Sequence, residues 1–188
     1  MNKQVLKLRD AIFALQTRKF GSVVEKLVEI IRKEKGDIVD KATDDSYDRH
    51  INGEKVEIKG SKVLLSTPLK LNKGNIAETI LSSHNSNRFI SFDKSSEIEW
   101  NSNIQQVKTE LFETLWYCLF FEDYVSIFKI TSSKINEDVK VRYSDKQHRG
   151  NEGEGQFHIN NNNIKHHLDN YLVTTISYND IYNKFNKN

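Results

Sequence analysis

The spacing of hydrophobic residues along this chain predicts two long helices. Apolar residues recur every three or four positions over residues 20–35, and Gly36 follows the last turn, which is typical of a helix that packs along one face. The same spacing recurs over residues 105–121, where the segment becomes apolar on all sides after Leu111. This second segment therefore predicts a central, buried helix.

Shorter apolar runs alternate with turn residues elsewhere and predict strands and short helices. Because helices and strands mix throughout, the expected fold class is α/β, with one domain over residues 1–188 and a central mixed β-sheet of about five strands flanked by helices. The predicted strands cover residues 88–92, 124–131, 135–143 and 171–176, and short helices are predicted over residues 76–82 and from Ser177 onward.

Composition fits a single folded domain and indicates no partner by itself. The 188 residues are 37% hydrophobic and 29% charged, and 28 Lys and Arg residues stand against 26 Asp and Glu residues. A net charge of +2 is too small to indicate a polyanionic ligand, so DNA binding has to be argued from a local site.

Two features favour the cytoplasm over export or a membrane. The longest apolar run, Leu115 to Phe121, is far shorter than the ~20 residues that a membrane-spanning helix needs, and the first residues contain no apolar leader. The lone cysteine, Cys118, allows no internal disulfide and lies inside that run, which suits a reducing compartment. We therefore expect a cytoplasmic protein without membrane contact.

The pair Asn52-Gly53 separates two extended runs and predicts a two-residue β-hairpin turn. Such a turn fixes the register and places Asp48 opposite Glu57, with both side chains on one face. Lys59 lies on that face too, because side chains alternate along a strand, and the apolar residues between them point the other way. Two facing carboxylates repel each other unless a cation lies between them.

An Asp, a Glu and a Lys on one face of a hairpin match the needs of metal-dependent phosphodiester hydrolysis. Two carboxylates can hold a hard divalent cation, and an ammonium group can position the attacking water or stabilise charge on the phosphate. Mg²⁺ prefers oxygen ligands and is usually held by one or two carboxylates with waters, so Asp48, Glu57 and Lys59 predict a Mg²⁺ site. The alternative is a solvated hairpin whose charges serve solubility.

Three pieces of this hairpin resemble the catalytic hairpin of the PD-(D/E)xK nuclease superfamily: Tyr47-Asp48, Asn52-Gly53, and the run from Val56 to Ser61. Tyr47 stands where the superfamily has a proline. Later segments are similar to small type II restriction endonucleases, namely residues 103–108, 144–150 and 155–159. The resemblance implies that the α/β fold contains a restriction-endonuclease-like core.

The resemblance also implies a role for each hairpin residue: metal binding by Asp48, Glu57 and the Ile58 carbonyl, and assistance to the attacking water by Lys59. The segment Gly21-x-x-x-Glu25 resembles the helix that adds a further glutamate to the metal site. Glu29, one turn further on, is the second choice for that role. The alternative for both glutamates is a solvated helix face, because lysines lie beside them.

A polar segment near residues 145–158 is the predicted DNA-recognition loop. It is rich in glycine, but it lacks the Gly-Lys-Ser/Thr ending of a phosphate loop and its glutamates would repel phosphate. Its polar side chains can bond to base edges, with Arg suited to guanine and Gln or Asn to adenine. The candidate base-reading residues are Lys146, Gln147, His148, Arg149, Asn151, Gln156 and His158. A polar loop without a ligand is the alternative.

These features together predict Mg²⁺-dependent, sequence-specific cleavage of double-stranded DNA by a bacterial type II restriction endonuclease. Cutting both strands with one site per chain favours a homodimer. A catalytic subunit that nicks one strand beside a larger DNA-binding subunit is equally economical. Two rival functions stay open: a repair or structure-selective nuclease, which needs no base-reading loop, and a non-catalytic DNA-binding domain with a nuclease-like fold.

Overall fold

Nine strands form two sheets in the part of the chain that the computed structural model describes, residues 1–65, 72–146 and 152–187. In chain order the strands are β1 (Val39–Lys41), β2 (Arg49–Ile51), β3 (Glu54–Lys62), β4 (Asn101–Val107), β5 (Thr114–Phe120), β6 (Tyr124–Thr131), β7 (Ser144–Lys146), β8 (Glu152–Asn160) and β9 (Leu172–Ser177). Six form the central sheet in the order β1-β2-β3-β5-β6-β9, in which only β3 and β5 are parallel. The remaining three form an antiparallel sheet, β4-β8-β7.

Helices cover one face of the central sheet and the second sheet covers the opposite face. The described helices are α1 (Lys3–Ala14), α2 (Thr17–Glu34), α3 (Ile76–Ser83), α4 (Ser132–Glu137), α5 (Ile164–Tyr171) and α6 (Tyr178–Lys187). In β5, Trp116 and Cys118 join the hydrophobic core beneath α1, α2 and α6, whereas Leu115 and Tyr117 join the core beneath the second sheet and α5. The expected mixed α/β class with helices flanking a mixed sheet is therefore confirmed.

Helix α2 confirms the helix predicted over residues 20–35, and it lies directly against β3. Its apolar stripe is buried, and Gly36 follows the helix with a φ of +88°, a left-handed conformation that glycine adopts without strain. At Gly60 of β3, a Cβ atom would come within 2.5 Å of Val24 Cγ2. This close approach lets Phe20 and Val24 of α2 pack directly against the backbone of β3.

The helix predicted over residues 105–121 is wrong, because these residues form the end of β4, a turn and β5. Every residue of β5 is buried, since the strand lies between β3 and β6 and both of its faces are covered. In β4, Ile104 and Val107 are both buried although they are three positions apart, because a β-bulge at Gln106 inserts one extra residue between them. The bulge therefore gives β4 two buried residues at the three-residue spacing that is typical of a helix.

Two predicted strands are also wrong. Residues 88–92 contain the end of a 3₁₀ turn and a single bridge from Phe89 to Leu64. Residues 135–143 begin inside α4, which the Thr131 hydroxyl caps by accepting a hydrogen bond from the backbone amide of Lys134. The predictions for β6, β9, α3 and α6 are confirmed to within a residue or two.

None of the described helices is both long enough and apolar enough to cross a membrane. The Cys118 thiol is fully buried on the central strand, and burial raises its pKa. Cys118 is therefore a small hydrophobic core residue, as its apolar surroundings predict.

Candidate active site

The β2–β3 hairpin has the predicted turn and register. Asn52 and Gly53 both have positive φ angles, as a two-residue type I′ turn requires, and Arg49 pairs with Val56. Asp48 lies one residue before β2, and its backbone N–H donates to the Val56 carbonyl. Glu57 is therefore the first residue of β3 beyond the pairing with β2, so β3 has an open edge from this point.

Asp48 and Glu57 meet at this open edge. The Asp48 Oδ2 atom accepts a hydrogen bond of 2.7 Å from the backbone N–H of Ile58, which holds the carboxylate against the strand. Glu57 and Lys59 lie on the face opposite the buried side chains of Val56 and Ile58, as strand alternation predicts. The Lys59 Nζ atom donates a hydrogen bond to Glu57 Oε1.

Burial and charge make Glu57 a weaker acid than usual. Burial, with the nearby Asp48 carboxylate and a hydrogen bond shared with it, raises the pKa of Glu57 to about 7, although Lys59 opposes the shift. The two carboxyl groups therefore repel each other as they ionise. A divalent cation placed between them would relieve that repulsion.

Of the two helix glutamates, the structure brings only Glu25 to this edge. Burial and the Asp48 carboxylate raise the pKa of Glu25, and Arg49 opposes the shift with an ion pair of 3.3 Å to Glu25 Oε2. Arg49 also donates a hydrogen bond of 2.6 Å to the Asp48 carbonyl. Glu29 contacts Lys26 at 3.1 Å and Lys33 at 2.7 Å. Although burial alone would raise the pKa of Glu29, the hydrogen bonds from both lysines lower it to about 2.

Two clefts meet at the open edge of β3. We call one the helix-side cleft: it encloses about 490 Å³ between the start of α2 and β4, with Arg18, Glu25, Gly60, Asn103 and Gln105 in its wall. The second, the loop-side cleft, encloses about 280 Å³, with Asp45, Tyr47, Glu57, Lys108 and Glu154 in its wall. Asp48, Lys59 and Gln106 line both clefts. The candidate catalytic groups therefore lie where a long ligand could pass from one cleft to the next.

Tyr47 fixes the approach of the chain to Asp48. Its ring is buried, and its hydroxyl lies 2.6 Å from His50 Nε2 and 2.7 Å from Thr43 Oγ1. The position that holds proline in the resembling superfamily is thus held here by a buried, hydrogen-bonded aromatic side chain. This anchoring keeps Asp48 beside the start of β2 without a proline.

The residues at this edge fit a Mg²⁺ ion, although the acids do not form a dense cluster. In residues 1–65, 72–146 and 152–187, no group of three or more His, Cys, Asp or Glu side chains converges closely enough to hold a metal ion. Mg²⁺ needs fewer protein ligands than that, because it usually keeps several waters and binds one or two carboxylates. Asp48 and Glu57, with the Ile58 carbonyl next to Glu57 in sequence, supply such a set.

The predicted recognition residues do not form one described loop. Gln147, His148, Arg149 and Asn151 lie outside the described residues. From Glu152 onward the chain is strand β8 rather than a glycine-rich loop, and there Gly155 packs against the Tyr143 ring. Lys146 ends β7, and His158 Nδ1 lies 3.1 Å from Asn101 Oδ1.

Gln156 is buried and its amide bonds within the protein. It accepts from Asn103 Nδ2 at 2.7 Å and donates to the Lys146 carbonyl at 3.2 Å. It therefore orients Asn103 in the helix-side cleft. The sequence alone does not identify Arg49 as a site residue. Residues 103–108 form a segment similar to restriction endonucleases, but that resemblance gives no role to the amides within it.

Comparison of the chain with protein-family models, with curated proteins and with solved structures finds no match. The candidate site therefore depends on the hairpin residues and on the geometry of the clefts.

Proposed function

We propose that this protein is a Mg²⁺-dependent endonuclease that hydrolyses phosphodiester bonds of double-stranded DNA at a specific sequence, in the manner of type II restriction endonucleases. One observation carries the proposal: Asp48, Glu57 and Lys59 meet at the open edge of β3, with Asp48 held there by the Ile58 amide. A hairpin whose charges serve only solubility would have no reason to bury Glu57 beside Asp48, where burial raises its pKa.

Asp48, Glu57 and the Ile58 carbonyl would hold the metal ion. When bound, Mg²⁺ would polarise the phosphate and lower the pKa of a water molecule. Glu57 would bind the metal ion as a carboxylate, and its Oε2 atom is not the one that Lys59 contacts. The Lys59 ammonium group lies at the same edge, where it would orient the attacking water or stabilise charge on the phosphate.

Two further groups support these residues. Arg49 bonds to the Asp48 carbonyl and pairs with Glu25, so it fixes the relative positions of two carboxylates that would otherwise repel each other. Arg18 lines the helix-side cleft and is suited to a neighbouring phosphate of the DNA backbone, because guanidinium groups bind phosphate oxygens in a bidentate way.

Cleavage of both strands would require two copies of this site, as in a homodimer, whereas one chain beside a larger DNA-binding subunit would cut one strand. The test is incubation of the full-length protein with supercoiled plasmid in Mg²⁺, with EDTA as the control, followed by sequencing of the ends. Linear DNA with defined ends supports a homodimer that cuts both strands. Nicked circles support the same chemistry on one strand. Binding without any cut in Mg²⁺ or Mn²⁺ contradicts the proposed function.

A further inference from the structure

The outward face of β4 carries three amide side chains beside the candidate active site. Asn103 and Gln105 alternate with the buried Ile104, as in a regular strand. Gln106 would then point inward, but the bulge turns it outward and returns Val107 to the core. The bulge therefore places Asn103, Gln105 and Gln106 together in the wall of the helix-side cleft.

Gln106 adopts a backbone conformation that is unfavourable for its residue type. Its φ angle is +56°, in the left-handed region, which costs a non-glycine residue on the order of 1–2 kcal/mol. Such outliers cluster at functional sites, where the surrounding structure holds them in place. A glycine at this position would remove the strain, so the glutamine side chain is present here at a cost in backbone free energy.

The amides of this row keep hydrogen-bonding capacity free for a ligand. Within the described residues, the side chains of Gln105 and Gln106 are exposed and have no hydrogen-bond partner. Asn103 donates to Gln156, but its Oδ1 atom is buried without a partner in the described part of the chain. A buried acceptor left unpaired costs free energy, so a turn of the Asn103 amide that brings Oδ1 to a donor on a ligand would stabilise the bound state.

The chemistry of the row points to base edges rather than to phosphates. Phosphate oxygens need donors, and in this cleft Arg18 and Lys59 supply them as cations. A carboxamide offers one donor and one acceptor side by side, which matches the N6 and N7 atoms of adenine in the major groove. Because Gln106 lines both clefts together with Asp48 and Lys59, the bases it could reach are those close to the scissile phosphate.

We propose that the bulge of β4 is a base-reading element, in which Gln105 and Gln106 select adenine next to the cleavage position and Asn103 supports them. The proposal rests on the DNA-binding part of the proposed function. Sequence preference would then have two sources. One is the predicted recognition segment at residues 145–158, and the other is β4, the strand beside the candidate catalytic residues.

The test is a binding selection by the full-length protein on randomised duplex DNA, with Ca²⁺ in place of Mg²⁺ so that the readout does not depend on cleavage. The key variant is Gln106→Gly, which removes the amide and relieves the backbone strain. Its preference for adenine at one or two positions should fall about tenfold, while its thermal unfolding temperature stays equal or rises. Gln105→Ala should weaken the base preference at an adjacent position of the DNA site.

Arg142→Gly is the matched control, because Arg142 also has a positive φ, +57°, and lies outside both clefts. This variant should keep the base preference of the parent protein. Unchanged adenine preference in both Gln106→Gly and Gln105→Ala would overturn the proposal, and so would a parent protein that shows no preference at all. A preference that depends on Gln106 in a protein that cuts no DNA in Mg²⁺ would support base reading and contradict only the catalytic proposal.

Discussion

Glu57 and Glu29 lie on neighbouring elements and both are largely shielded from solvent, yet their acidities move in opposite directions. The solvent-exposed fraction of the side chain is 11% for Glu57 and 14% for Glu29, and each carboxylate contacts a lysine. The pKa of Glu57 is raised to about 7, whereas that of Glu29 is lowered to about 2. Burial alone therefore does not decide which carboxylate is available to a cation.

The difference comes first from the deeper burial of the Glu57 carboxyl group, which is the largest cause of its raised pKa, and then from the charges around each group. Glu29 contacts Lys26 and Lys33, with Arg49 at 3.5 Å, so the chain itself neutralises it. Glu57 faces Asp48, and the open edge of β3 has more carboxylates than cations close to it. An excess of buried negative charge is what a metal ion can relieve, and it distinguishes a binding site from an ordinary ion-paired surface.

The largest expected effects come from removing the two catalytic groups next to Glu57. Lys59→Met and Asp48→Asn should each lower the rate of plasmid cleavage by about 10²–10⁴-fold, because the first removes the cation beside the attacking water and the second removes a metal ligand. DNA binding measured in EDTA should change little for Asp48→Asn and should fall slightly and equally for all sequences for Lys59→Met, which loses one phosphate contact. Cleavage by both variants within about threefold of the parent rate would show that the chemistry occurs elsewhere.

Glu57 and Glu29 should make opposite contributions to the pH dependence of the free energy of unfolding. Glu57 binds its proton more tightly in the folded protein, so its contribution to the free energy of unfolding is complete below pH 4.5 and is lost as the pH rises to about 7. The loss amounts to at most about 3 kcal/mol. Glu57→Gln should flatten this part of the profile, measured by urea unfolding without metal. An unchanged slope in that variant would contradict the raised pKa.

For Glu29, the change of stability with pH should have the opposite sign and a smaller size. Its pKa is lowered, so its ion pairs stabilise the fold above about pH 4.5 and are lost as the pH falls towards 2. At pH 7, Glu29→Gln should cost about 0.5–1 kcal/mol in urea unfolding at low salt, and less in 1 M salt, because both lysine partners are more than half exposed. A loss of several kcal/mol that salt does not reduce would mean that Glu29 belongs to a buried network.

The hairpin could be predicted from sequence because its determinants are local. Asn52-Gly53 sets the turn, the turn sets the register, and alternation places Glu57 and Lys59 on one face. Helix α2 was predictable for the same reason, since its apolar stripe is continuous. These short-range rules are enough to identify Asp48, Glu57 and Lys59 as candidates, whereas Glu25 is a candidate only through the resemblance to the nuclease superfamily.

The region from β4 to β5 was not predictable, because two effects imitate a helix there. The bulge at Gln106 puts Ile104 and Val107 three positions apart on one side, and β5 is apolar on both faces because the tertiary structure covers both. The clefts, the role of Arg49 and the outward turn of Gln106 all follow from contacts between elements distant in sequence. Such contacts leave no periodic signal.

The most direct test of the central claim is the rate of Mg²⁺-dependent plasmid cleavage by the matched variants Glu57→Gln and Glu29→Gln. Both substitutions remove one negative charge and keep the shape of a partly buried side chain. We predict that Glu57→Gln abolishes cleavage while the protein remains folded and binds DNA, and that Glu29→Gln cleaves at close to the parent rate. Equal rates for the two variants would contradict the assignment of the open edge of β3 as the metal site.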